Sequence, residues 1–177
     1  MRRLALALFL ALFQLSASAA SPDPNPELRA RVAADQAARQ SSAPRNWDEI
    51  NAQDAKRRER VREMLRANEI RTATDFEAAA LIFQHGQSVA EFRVAHSFAV
   101  LARNLNPESK RAKWLFAATW DRMLLSMNKP QWYGTQYSVS SKGLLELEEI
   151  DESAVSDADR VALGLPTLAE ARPKGAK

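Results

Sequence analysis

The sequence predicts a mainly α-helical protein, a compact bundle of about five helices with a small C-terminal β-hairpin. Three observations carry that expectation. The apolar periodicity is helical almost throughout as far as Lys129, helix-capping signatures punctuate it at short intervals, and beyond Lys129 it gives way to two short runs around Gly143.

The elements follow in order. A first helix is expected over about Pro26 to Gln40 and a second over about Asp48 to Asn68, joined by the linker Ser41-Ser42-Ala43-Pro44. The third is expected to open with the capping box Thr74-x-x-Glu77 and to stop at Gly86; the fourth to open with Ser88-x-x-Glu91; and the fifth with Asn106 and Pro107 at its first position. Thr135 to Val139 and Leu144 to Leu147 read as short strands turning at Ser141-Lys142-Gly143. A short helix capped by Ser156-x-x-Asp159 should end near Gly164-Leu165-Pro166, and the tail 172–177 is expected to be disordered. No 34-residue signature recurs, which favours a bundle over a solenoid.

The N-terminus carries its own message. Met1-Arg2-Arg3 is basic, Leu4 to Phe13 is an unbroken apolar run, and Ala17-Ser18-Ala19 has the small-residue form of a cleavage site. Residues 1–19 therefore read as a secretory signal peptide, and 20–177 as a single helical domain that is exported, periplasmic or secreted. The apolar run is well short of the roughly 20 residues a membrane span needs, so no transmembrane segment is expected after signal removal. With no Cys in the chain, disulfides, iron–sulfur clusters and thiol chemistry are excluded.

Loss of Arg2 and Arg3 from the 25 basic residues leaves 23 against 22 acidic ones, a formal charge of +1. That argues against a nucleic-acid partner. The densest basic run, Lys56 to Glu63, is interleaved with glutamates and reads as a solvated helix face.

Helix five looks buried, because Trp114, Leu115, Phe116, Ala118, Trp120, Met123, Leu124 and Leu125 cover nearly every direction around it. Asp121 and Arg122 fall among them and are expected to be paired, since an isolated buried charge is costly. The first helix turns Asp35, Gln36 and Arg39 along the stripe that Leu28 and Val32 begin, and Asp54 and Arg57 do the same in the second. Polar residues facing inward from three helices suggest one shared buried network.

The run Pro130-Gln131-Trp132-Tyr133-Gly134-Thr135-Gln136 interrupts the helical pattern with hydrogen-bonding groups that packing does not demand. It starts at the end of helix five, level in an up-down-up bundle with His85 at the end of helix three. His85, Asp121, Arg122 and this segment should thus converge at one end. His96 falls on the buried face of helix four, roughly 10 Å from His85 along the axis at 1.5 Å per residue, which argues against a shared metal. No metal and no cofactor are expected, and no HExxH, P-loop, dinucleotide or Gly-x-Ser-x-Gly fingerprint is present.

Taken together, Asp35-Gln36-x-x-Arg39, Gln84-His85, Asp121-Arg122 and Gln131-x-Tyr133-Gly134-Thr135-Gln136 resemble a bacterial family known only as a domain of unknown function. The resemblance spans about residues 30–165, and Asn68 to Thr72 stands where many members carry a Gly-x-Pro turn. It implies a set of motif residues and no reaction.

Two functional classes follow. The first is a non-catalytic exported protein whose polar end pocket binds an unknown small ligand, peptide or partner protein through Asp35, Gln36, Arg39, Arg122, Gln131, Tyr133, Thr135 and Gln136. The second is a hydrolase or transferase in which Asp121 orients His85 as general base. Geometry discriminates them, since a catalytic His85 needs a carboxylate within hydrogen-bond reach and an open cleft.

Overall fold

The structure is a computed structural model that describes residues 22–40 and 44–173. The expected signal peptide, the linker residues 41–43 and the last four residues lie outside the described residues. In chain order come α1 (Pro26–Gln40), α2 (Trp47–Arg66), α3 (Ala73–Phe83), α4 (Val89–Leu105), α5 (Lys110–Ser126), β1 (Tyr137–Val139), β2 (Leu145–Leu147), α6 (Asp157–Ala162) and α7 (Leu168–Ala171). The mainly helical architecture with one small antiparallel hairpin is as expected.

Local chemistry sets most of these boundaries. Asn25 Oδ1 accepts from the Leu28 amide just ahead of Pro26, and Asn46 accepts from Glu49 N to start α2. α2 ends where Asn68 takes φ +56°, the left-handed conformation that lets Glu69 N reach back to Met64 O at 2.9 Å. Ser88 caps α4 on the Glu91 amide, and Ser156 with Asp159 forms a reciprocal box on α6.

Two starts differ from the sequence expectation. The box on α3 is Thr72 with Asp75, not Thr74 with Glu77, because Asp75 also gathers the Asn25 amide at 2.7 Å and the Arg71 amide at 3.1 Å. It thereby binds the entry of α1 to that of α3. Glu77 instead accepts a hydrogen bond from Ser109 Oγ, and Ser109, not Asn106, caps α5 on the Ala112 amide.

The centre of the bundle is α3 rather than α5. Every residue from Ala78 to Phe83 is buried, and the helix packs against α1, α2, α4 and α5. Three consecutive alanines let those neighbours approach closely, while Leu28, Val61, Met64, Ala95, Phe98, Ala99 and Leu115 close over it. Trp114 on α5 is 41 % exposed, so the apolar circumference of that helix is only partly covered by its neighbours.

Beyond α5 the chain folds back over the bundle. β1 pairs with β2 in the register Tyr137↔Leu147, Ser138↔Glu146 and Val139↔Leu145, and Gln131 bridges Ile150 in parallel. Tyr137 Oη donates to Ala171 O at 2.8 Å, which ties α7 to the hairpin. Arg172 caps α7 and pairs with Glu152, so it belongs to the folded part and not to a loose tail. No helix among the described residues is long and apolar enough to cross a membrane.

Candidate functional site

The Gln131–Gln136 segment builds a clasp. Asp121, fully buried near the end of α5, accepts from the backbone amides of Trp132 (2.8 Å), Tyr133 (2.9 Å) and Thr135 (3.0 Å) and from Thr135 Oγ1 (2.8 Å). Burial pushes its carboxyl up, against those four donors, which favour the ionised form. Gln131, also fully buried, accepts from Gln136 N at 2.9 Å and donates through Nε2 to Gln136 O and Glu148 O, both at 3.0 Å. Gly134 turns the loop at φ +74°, a conformation that favours glycine.

Asp121 therefore orients a loop, not His85. The charged partners expected for Asp121 and Arg122 are not found among the described residues either, and uncharged groups hold both side chains. Thr135 is spent on Asp121, and Tyr133 packs its ring edge-on to Phe116 at 6.1 Å, with burial pushing its phenol up.

The carboxylate at His85 comes from α1. Asp35, fully buried, has Oδ1 3.1 Å from His85 Nδ1, accepts from Gln36 Nε2 at 2.7 Å and pairs with Arg39 at 2.7 Å. Burial pushes the Asp35 carboxyl up, but the contact with His85, the Gln36 amide and the Arg39 charge outweigh it, and the net direction is down. Arg39 also pairs with Asp54 of α2, whose other oxygen holds Arg57 at 2.7 Å. The inward-facing polar residues of the first two helices do share one network, completed by the end of α3.

Ligand atoms of Asp35, Asp54 and His85 lie within 4.8 Å of one another, a spacing a metal ion could use. Their oxygens, however, are already engaged by Arg39 and Arg57, so a cation would have to displace two guanidiniums. The donor set suits internal ion pairs better than a metal.

Beside this network lies an open cavity of about 320 Å³ lined by Arg39, Trp47, Asn51, His85, Gly86, Gln87 and Arg122. α1, α2, the end of α3 and α5 each contribute to it. Arg122 donates to Gln84 O at 2.8 Å and to Gln136 Oε1 at 2.9 and 3.2 Å. Burial, and then the nearby Arg39 charge, push its guanidinium down from the usual arginine range. Of the expected site residues, Arg39, Arg122 and His85 meet at the cavity; Asp35, Gln36 and Gln136 buttress them; Gln131, Tyr133, Thr135 and Asp121 do not line it.

Sequence reasoning missed the residues behind His85. Arg58 lies inside the basic run read as solvated, yet it is only 5 % exposed. It pairs with Glu91 at 2.7 Å and donates to His85 O at 3.0 Å, satisfying a carbonyl at the end of α3. Its place on the buried Val61 side of α2 was the available signal. Gly86 follows for a steric reason: a Cβ there would come within 2.6 Å of Glu91 Cβ. Arg160, also missed, supports the clasp by donating to Trp132 O at 2.9 Å. His96 sits between Phe116 and Trp120 with Nδ1 3.2 Å from Thr119 Oγ1, and burial pushes it down, as befits a core histidine.

Fold and site together define a helical bundle whose end is closed by a glutamine clasp beside an arginine-lined cleft. The chain belongs to a family of unknown function, DUF6624, whose profile matches residues 22–172. No curated protein and no solved structure matches it.

Proposed function

We propose that this protein is an exported, non-catalytic binding protein that takes a small polar ligand in the cavity beside His85. The observation that carries the reading is the convergence of Arg39 from α1, His85 from the turn after α3 and Arg122 from α5 on one open cavity of about 320 Å³. That volume is at the low end of ligand sites, roughly 300–1,000 Å³, which favours a small molecule over a peptide or a protein surface. Asn51 lines the same cavity from α2 and takes no part in the ion-pair network. Asn51→Trp should fill the space, so a thermal-shift screen of small polar molecules should yield ligands that stabilise the native chain and fail to stabilise this variant. Hits that stabilise both proteins equally would refute the cavity as their site.

A second reading, a hydrolase or transferase with His85 as general base, draws support from the Asp35–His85 contact at 3.1 Å. Asp35 takes the orienting role first considered for Asp121. Turnover of chromogenic ester substrates that disappears in His85→Asn would establish it; equal rates in both proteins would remove it.

Export rests on the basic, apolar and small-residue pattern of residues 1–19. The intact mass of chain recovered outside the cytoplasm should begin at or near Ala20, and recovery there of a chain beginning at Met1 would overturn it.

A further inference from the structure

The cavity has an electrostatic bias that its volume does not convey. Two guanidiniums, those of Arg39 and Arg57, meet two buried carboxylates, Asp35 and Asp54, and a third, that of Arg122, lines the cavity together with Arg39. The carboxylates are shared between Arg39 and Arg57. Arg122 is left with neutral acceptors, the Gln84 carbonyl and the Gln136 amide oxygen, and among the described residues no carboxylate lies within ion-pair distance of it. A largely buried guanidinium without a counterion is costly, and the cost falls when an anion binds.

We infer that the ligand is a small phosphate-type oxyanion, held by Arg122 together with Arg39 in this cavity. The inference rests on the reading of this cavity as a binding site. Arg122 uses three of its five N–H groups on Gln84 O and Gln136 Oε1, which leaves two without an acceptor among the described residues. A planar guanidinium with paired donors is the side chain best matched to an oxyanion.

The end of a helix ordinarily repels anions through its last carbonyls. Here those of Gln84 and His85 are already covered by Arg122 and Arg58. Residues with N–H donors line the cavity from three parts of the chain: Arg39 of α1, Gln87 of the turn after α3 and Arg122 of α5. A tetrahedral anion can present an oxygen to each, whereas a planar carboxylate has only two to offer. Trp47, 52 % exposed with the Arg45 guanidinium over its ring at 5.7 Å, lines the same cavity and offers apolar ring surface to an organic substituent. The space exceeds that of bare phosphate, so a phosphate monoester fits better than the free ion.

Calorimetric titration of the full chain with inorganic phosphate, phenyl phosphate and phenol tests this. Phenyl phosphate should bind at least about tenfold more tightly than inorganic phosphate, and phenol should not bind. Arg122→Gln, which keeps a donor for the Gln84 carbonyl, should weaken phenyl phosphate at least about tenfold; if that variant does not fold, Asn51→Trp should do the same. Phosphate binding tighter than the ester would assign the site to the free ion and overturn the monoester assignment. Binding of phenol or other neutral molecules that Asn51→Trp abolishes, with none of the phosphates, would overturn the oxyanion class and leave the cavity reading standing. Phosphate binding unchanged in both variants would place the anion elsewhere, and no binding by any small polar molecule would overturn both readings.

Discussion

Replacing Asp121 with alanine isolates what the clasp contributes. The carboxylate is fully buried and accepts four hydrogen bonds, three from backbone amides. Thr135 Oγ1 still accepts from Gln136 Nε2 at 3.0 Å and can turn to a new partner, so the uncompensated loss is the three amides. Each stranded amide costs about 1–3 kcal/mol, while removing a buried carboxylate recovers part of its desolvation penalty. The balance is about 4 kcal/mol of lost stability, or a fall in Tm of roughly 10 °C for a domain of this size. Asp121→Asn keeps an oxygen for Trp132 and Tyr133 but turns an amide N–H₂ toward the Thr135 N–H, for about 2 kcal/mol. Urea unfolding with an unchanged m-value measures both, and hydrogen exchange at residues 132, 133 and 135 should accelerate in the alanine variant. A loss below about 1 kcal/mol for Asp121→Ala would refute the clasp as a stabilising device.

Three further outcomes are expected. Arg39→Ala, which removes one charged partner from each of Asp35 and Asp54 while Arg57 stays on Asp54 and His85 on Asp35, should cost about 3–5 kcal/mol, whereas Arg122→Leu, which strands only neutral acceptors, should cost no more than about 2 kcal/mol in the same unfolding assay. Gly86→Ala should cost about 2 kcal/mol, because its methyl group meets Glu91 Cβ at 2.6 Å, and a circular-dichroism melt reads it directly. Stability should fall on acidification: Asp35, Asp75 and Glu91 are each held below the usual carboxylate range in the fold, hydrogen bonds and arginine charges outweighing burial, so what they contribute is present above their unfolded values and lost as pH drops through the folded ones. Denaturation between pH 6 and pH 3 checks this, and Asp75→Asn should flatten the acid arm.

Features whose cause is local were legible in the sequence. The span Pro26–Gln40 and the caps at Ser88 and Ser156 depend on groups within four residues of one another. Thr72-x-x-Asp75 and Thr74-x-x-Glu77 are overlapping templates of nearly equal merit, and a distant amide, that of Asn25, decides between them. The same holds at α5, where apolar residues all round suggested a central helix while the alanine-rich α3 took that place.

At the site, Asp35, Arg39, Asp54 and Arg57 were recognisable because charges on an apolar stripe need partners. Which partners they take was not, since Asp35 meets His85 across 50 residues of sequence. The glutamine-rich segment stood out for its polarity, and that polarity proved to face the protein's own backbone. Side chains that satisfy a buried loop and side chains that hold a ligand have the same composition; only their direction separates them.

The placement of His85 has a consequence for how the protein comes into being. Its ring is held by Asp35 of α1, its carbonyl by Arg58 of α2, and the adjoining turn by Glu91 of α4, whose carboxylate takes the Gln87 amide at 2.8 Å. No segment that emerges early in synthesis contains the cleft, which spans residues 39 to 122. Nascent or partly unfolded chains are thus without the cleft, and any molecule that binds it would report complete folding and favour it by mass action.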